Sequence, residues 1–310
     1  MELSLLIARQ IASMMLLAGF GACRGKLLPE DAGKATSAIC LYILCSAILF
    51  SAFQMEFSHE KLILFLIGLL CAACINALFI GLSIVFRNLF HFVDVDRLSL
   101  IYVNSGNLIV PLISAMLGQE FVFYSSSYPA LMNCLFWTHG FRILSGDKTV
   151  PLRKILVNPN LIAICVGMLF FIFQIPLPGI LSLTISRLAD CIGPVSMIGI
   201  SIVMGGLNLR KAFTNRRAWL LTFLRLIFLP TVCIFLIFLI RPSRFYPGAE
   251  HVLLASMLAA SAPSAVMVSQ LASLTGRGTD VASAVNVLST LLCVITMPVI
   301  IIIYQILCIV

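Results

Sequence analysis

Long apolar runs separated by short polar or charged breaks fill the chain from one end to the other. Ten such segments can be marked: 4–23, 35–54, 62–85, 98–117, 122–141, 159–175, 184–207, 218–240, 251–274 and 281–307. Each is long enough for a helix to cross the hydrocarbon core, which takes about 17–25 residues. None alternates apolar with polar positions as a membrane β-barrel strand does. The breaks carry turn formers and charge, as in Arg24-Gly25-Lys26, Arg87 to Arg97, Pro176 to Gly179 and Arg210 to Arg217. No break is long enough for a soluble domain. The pattern predicts an all-α polytopic membrane protein with five spans in residues 1–145, a linker over 146–157, and five spans in 158–310.

Composition agrees. The 310 residues are 61% hydrophobic and 10% charged, and mean hydropathy is +1.11. A soluble domain carries roughly a quarter charged residues, so this chain could not clothe a water-facing surface. The net charge of +8 reflects topology and not nucleic-acid binding, because lysine and arginine crowd alternate breaks. Those breaks include Arg24, Lys26, Arg87, Arg142, Arg153, Lys154, Arg210, Arg217 and Arg277, against Lys61, Arg241 and Arg244 in the others. The positive-inside rule then puts the linker in the cytoplasm and both termini outside. Glu2 precedes the first apolar stretch and Arg9 interrupts it, so that stretch reads as a permanent span, with Arg9 snorkelling to the interface. The eleven cysteines, including the Cys71/Cys74 pair, lie mostly in apolar runs without histidine partners and read as small buried hydrophobes. No cofactor or metal is implied.

Two prolines fall inside predicted spans beside polar residues. Asn104-Ser105-Gly106-Asn107 leads to Pro111 in the fourth segment, and Ser261 and Ser264 flank Pro263 in the ninth. A proline inside a helix removes one amide donor and clashes with the carbonyl one turn earlier. In lipid the freed groups are tolerated only where protein or a water-filled cavity satisfies them. The two sites occupy matching positions in the halves, and five spans per half make the second copy insert upside down. An inverted repeat with a broken span in each copy points to a transport site near the bilayer midplane. Crossed half-helices would gather positive N-terminal ends there, which suits an anion.

At these residues the chain resembles the auxin efflux carrier family, which includes bacterial malonate, malate and related organic-acid permeases. The resemblance rests on Asn104 to Pro111, on Trp137-Thr138-His139-Gly140, on Asn158-Pro159-Asn160 with Gly167, and on Pro263, Asp280, Ser283, Ser289-Thr290 and Thr296-Met297-Pro298. It implies a scaffold of the first, second, sixth and seventh spans around which the other six move, with the fourth and ninth crossed as in bile-acid symporters and sodium/proton antiporters. It also implies alternating access of elevator type and a homodimer. The short linker resembles the small bacterial branch, hence an inner (plasma) membrane location. Ile109 stands where the family often has glycine, and Val266-Met267 where many relatives have an asparagine.

The expected cargo is a small organic anion (a carboxylate, dicarboxylate or auxin-like acid), with H+ or Na+ as coupling ion. The substrate-binding candidates are Asn104, Ser105, Gly106, Asn107, Pro111, Ser261, Pro263, Ser264 and Gln270; the accessory candidates are Asn133, Arg225 and His139. Asn76 and Asn286 are further amides inside spans. Arg225 has two readings, an attractor for the anion or a cap on helix carbonyls. Arg187 and Asp190, three apart, read as an ion pair on one helix face, and His139 as a boundary histidine in contact with water. Enzyme chemistry finds no support: there is no HExxH and no pair of intramembrane carboxylates. A sodium-coupled bile-acid-type symporter and a non-transporting membrane sensor are the competing readings.

Overall fold

The computed structural model describes residues 9, 12–13, 16–23, 27–29, 32–146, 152–205, 209–241 and 246–309, the side chain of Asn107 and a few others excepted. Arg24, Lys26 and Lys148, with the other residues of 147–151 in the linker, lie outside the described residues, as does Arg244. The described chain is helical almost throughout. Its helices are α1 (Ala32–Ile39), α2 (Cys45–Ala52), α3 (His59–Phe90), α4 (Asp94–Ile101), α5 (Val110–Leu117), α6 (Gln119–Ser125), α7 (Ser127–Leu135), α8 (Phe141–Ser145) and α9 (Leu152–Leu156). They continue as α10 (Pro159–Phe173), α11 (Gly179–Gly205), α12 (Leu209–Thr214), α13 (Arg216–Phe223), α14 (Leu229–Ile240), α15 (Ala249–Ala260), α16 (Val266–Thr275) and α17 (Thr279–Tyr304). Wider π turns join several of them, at Cys40–Leu44, Ser105–Ile109, Phe136–Gly140 and Leu224–Phe228.

Among the described residues, four stretches are long and apolar enough to cross a membrane: Ala35–Ala52, His59–Phe90, Gly179–Gly199 and Arg216–Ile240. A fifth, Thr279–Cys293 with Ile295–Cys308, is bent by 59°. Pro298 accounts for that bend, since its ring clashes with the carbonyl four residues earlier, at Val294. This is an integral, multi-pass membrane protein. The predicted fourth and ninth segments are each split in two, so neither half reaches membrane length alone.

Local chemistry sets the ends. Ser58 caps α3 by accepting from the Glu60 N–H, and Asn158 caps α10 by accepting from Asn160 and Leu161 ahead of Pro159. Gly278, at φ 66°, turns α16 into α17 where a Cβ would stand 2.5 Å from Val95. Lys154 of α9 lies 4.8 Å over the Trp137 ring, which pins the end of the linker.

Packing sorts the helices into two groups. The first is α1, α2, α10 and α11; the second gathers α3, α4, α7 and α13 to α17. Phenylalanines join the groups at one end: Phe53, which follows α2, lies 5.8 Å from Phe65 of α3, and both pack on Phe123 of α6, at 4.9 Å and 5.4 Å. Arg187 and Asp190 are both exposed and form no ion pair; on the outside of α11 water and interface solvate each better than a surface pair would.

Gly167 of α10 lets Phe53 close, since a Cβ there would meet the ring at 2.9 Å. Gly167→Val should destabilise the protein by about 1–3 kcal/mol through overpacking. Gly81→Ala has open space around it and should raise stability by up to about 1 kcal/mol through helix propensity. Melting temperatures in detergent check both signs.

Candidate functional site

The first break falls at Tyr102-Val103-Asn104, where the backbone extends between α4 and the π turn at Ser105. Asn, Ser and Gly are weak helix formers because their polar groups or bare backbone compete with the helix. Pro111 does not make this break, contrary to the sequence reading. It sits in the first turn of α5, and the wide turn ahead of it, closed by Val110 N–H to the Ser105 carbonyl, absorbs its missing donor. The second break spans Ser261 to Ala265 and does contain its proline. Pro263 lacks an N–H and disfavours a helical conformation at Ala262.

The two breaks pair with each other. Val103 and Ser264 form an isolated antiparallel bridge. The Asn104 N–H donates to the Pro263 carbonyl and the Ala265 N–H to the Tyr102 carbonyl, both at 2.9 Å. α17 satisfies the backbone of Ser264: its N–H donates to Ser289 Oγ at 3.1 Å, and its carbonyl accepts from Asn286 Nδ2 at 2.9 Å, while its hydroxyl is buried without a partner. Four half-helix ends therefore converge. The C-terminal ends of α4 and α15 carry partial negative charge; the N-terminal ends at Ser105 and at α16 carry partial positive charge.

A cavity of about 730 Å³ opens beside this crossing, within the usual range for ligand sites of about 300–1,000 Å³. Asn104, Ser105, Gly106, Asn133 and Gln270 line it, as the sequence reading expected. The side chain of Asn107 lies outside the described residues. Pro263 and Ser264 build the crossing without lining the cavity, and the Ser261 hydroxyl turns back to the Met257 carbonyl at 2.8 Å. Pro111 also stays out of the wall. Asn286 lines it, while Asn76 is buried elsewhere and donates to the Ala72 carbonyl. The Asn104 Nδ2 group is buried with no acceptor, a free donor at the centre of the crossing.

Several wall residues escaped the sequence reading: Tyr102, Asn160, Ser37, Ser269, Ser273, Thr279 and Ser283. Ser269, Gln270 and Ser273 share one face of α16, a spacing that was legible. Ser37 and Asn160 come from the other packing group and had no local signal. Apolar groups complete the wall, among them Leu41, Met132, Phe136 and Met267, and among the described residues no charged side chain lines it. Towards Ser273, Leu274 and Thr279 the cavity runs to the basic end of the molecule, where Arg277 donates to the Leu144 carbonyl at 3.2 Å.

The two remaining candidates act from behind. His139 is half-buried: its Nδ1 lies 2.9 Å from the Tyr102 hydroxyl, which donates to the Leu135 carbonyl. The π turn at Phe136–Gly140 brings it there, and Gly140 leaves room for the Tyr102 ring, 2.9 Å from where a Cβ would stand. Arg225 is wholly buried and caps the carbonyl of Ala260 at 3.0 Å.

Comparison with known proteins gives the family. The model of a family described as membrane transport protein matches residues 8–149 and 148–301, nearly the whole chain. No curated protein matches it. With a polar cavity at a helix crossing and family matches along almost its full length, the chain belongs to the auxin efflux carrier family of membrane transport proteins.

Proposed function

We propose that the protein is a secondary active transporter of a small organic anion, a carboxylate, dicarboxylate or auxin-like acid, working by alternating access. One observation carries this reading: two unwound segments, hydrogen-bonded to each other inside an apolar helical body, form part of the wall of a ligand-sized cavity whose largely apolar lining carries several amides and hydroxyls. A purely structural kink needs no such cavity. The Asn104 amide, with Gln270, the Ser105 hydroxyl and the second N–H of Asn133, whose first is held by the Pro129 carbonyl, offers donors to a carboxylate, while Met132, Phe136 and Met267 accommodate its carbon body.

The finer architecture belongs to the same proposal. Ten spans form two inverted five-helix repeats, 1–145 and 158–310, with broken helices four and nine crossed. The α1, α2, α10 and α11 group is the scaffold of an elevator-type homodimer, and the crossing group moves against it. On the positive-inside rule the basic end of the molecule is taken as cytoplasmic and both termini as outside, in a bacterial inner membrane. H+ or Na+ supplies the driving gradient.

Uptake of labelled carboxylates into proteoliposomes, with and without ion gradients, tests the reading. A hydrogen bond to a charged group is worth about 1.5–3 kcal/mol, so Asn104→Ala should raise the half-saturating concentration at least tenfold. Unchanged uptake at equal protein content would overturn the assignment. The two prolines should also separate: Pro263→Ala, which restores a helix-compatible residue inside the break, should cut flux by about tenfold or more, whereas Pro111→Ala should stay within about twofold of wild type. Flux assays normalised to reconstituted protein check the order.

A further inference from the structure

We propose that Arg225 sets the sign of the electric field at the crossing, and so makes the cavity favour a negative group, without touching the cargo. The proposal rests on the reading of the cavity as an anion site. The four helix ends at the crossing are two of each sign, each equivalent to roughly half an elementary charge, and they cancel to first order. The lining adds no charged side chain. Helix dipoles alone therefore leave the site close to neutral.

Arg225 breaks that balance. It lies in the π turn Leu224–Phe228, just ahead of Pro230, and is 0% exposed. Its Nη2 donates to the carbonyl of Ala260, the last residue of α15, at 3.0 Å. Three residues on, the Pro263 carbonyl accepts from the Asn104 N–H in the cavity wall. The guanidinium lies over the Phe79 ring at 5.0 Å, and its titratable neighbours are Tyr128 and Cys233, neither a carboxylate. The ion pairs among the described residues join Arg97 to Asp94, Lys211 to Asp280 and Arg217 to Asp96; none includes Arg225. Its Nε and Nη1 have no acceptor.

A full positive charge thus sits on one of the two negative helix ends and outweighs it, so the crossing is left net positive. Burying an arginine without a counter-ion is costly in the membrane. A neutral amide would cap the Ala260 carbonyl at far lower cost. What arginine adds beyond a cap is charge, held where the apolar surroundings screen it least. Arg225 is then a positioning residue for the anion, acting through α15 and the crossing.

The test uses the full-length protein with Ser105→Cys, which puts a thiol in the cavity wall. Its rates of modification by negative and positive methanethiosulfonate reagents of similar size are read by mass spectrometry of the peptide carrying residue 105, which sets aside the native cysteines. Arg225→Gln keeps a donor for Ala260 and removes the charge, and the ratio of negative to positive rates should fall at least tenfold. Arg225→Lys keeps the charge and should hold the ratio near its starting value. If both rates change together in Arg225→Gln and their ratio stays fixed, Arg225 is only a structural cap and the proposal fails. It fails equally if lysine lowers the ratio as far as glutamine does. A ratio that responds as stated, in a protein that moves no carboxylate, would uphold the field and reject the transport reading.

Discussion

Backbone hydrogen bonding inside lipid is the constraint on which the rest of the structure depends. An unwound segment in the hydrocarbon region strands amides and carbonyls, each at several kcal/mol. Here each break supplies what the other lacks: Asn104 gives a donor to Pro263, and Ala265 gives one to Tyr102. α17 closes the remainder through Ser289 and Asn286. Neither break could exist alone, which makes the two halves of the chain interdependent at one place. With these backbone groups paired, the Asn104 Nδ2 is left buried without an acceptor, a spare donor for the proposed anion.

The neutrality of the wall follows the same economy. An arginine in the cavity would hold a carboxylate by a charge-assisted, bidentate hydrogen bond, and such pairs release slowly. Amides, hydroxyls and helix ends bind more weakly one by one, which suits a solute that must be let go on the far side. Arg225, fully buried, is kept behind the crossing, bonded to Ala260.

Apolar run lengths made the membrane class and the helical content legible, because burying backbone in lipid leaves a helix few alternatives. The two breaks were legible as regions and less so as residues. Pro263 was a reliable marker because nothing nearby could take up its missing donor, whereas Pro111 misled because a π turn could. Arg225 remained open from sequence, since capping and cargo attraction need the same side chain and differ only in what lies opposite it. Tyr102 and Ser37 were invisible for another reason. Their place in the wall depends on how the two packing groups meet, and no short-range pattern encodes that. The pair expected at Arg187 and Asp190 had the right spacing, but spacing grants only the chance of contact, and exposed charges gain little by taking it.

The division of contacts between the two helix groups bears on how such a cavity could open elsewhere. The bridge, the Asn286 and Ser289 bonds and the Arg225 cap all lie within the second group, so the crossing can travel as a unit. Ser37, Leu41, Tyr42 and Asn160 belong to the first group, so the cavity straddles the seam. Across that seam phenylalanines pack at one end, and the hydrogen bonds among the described residues beside the cavity are long: the Cys45 thiol lies 3.8 Å from the Gly106 carbonyl, and Asn158 Nδ2 donates to Asn133 Oδ1 at 3.4 Å. Apolar contact is non-directional, and sliding exchanges one such neighbour for another at little cost, whereas a strongly hydrogen-bonded seam would have to break before it moved. The short directional bonds are thus concentrated within the crossing, which is the distribution that the proposed movement of one group past the other would need.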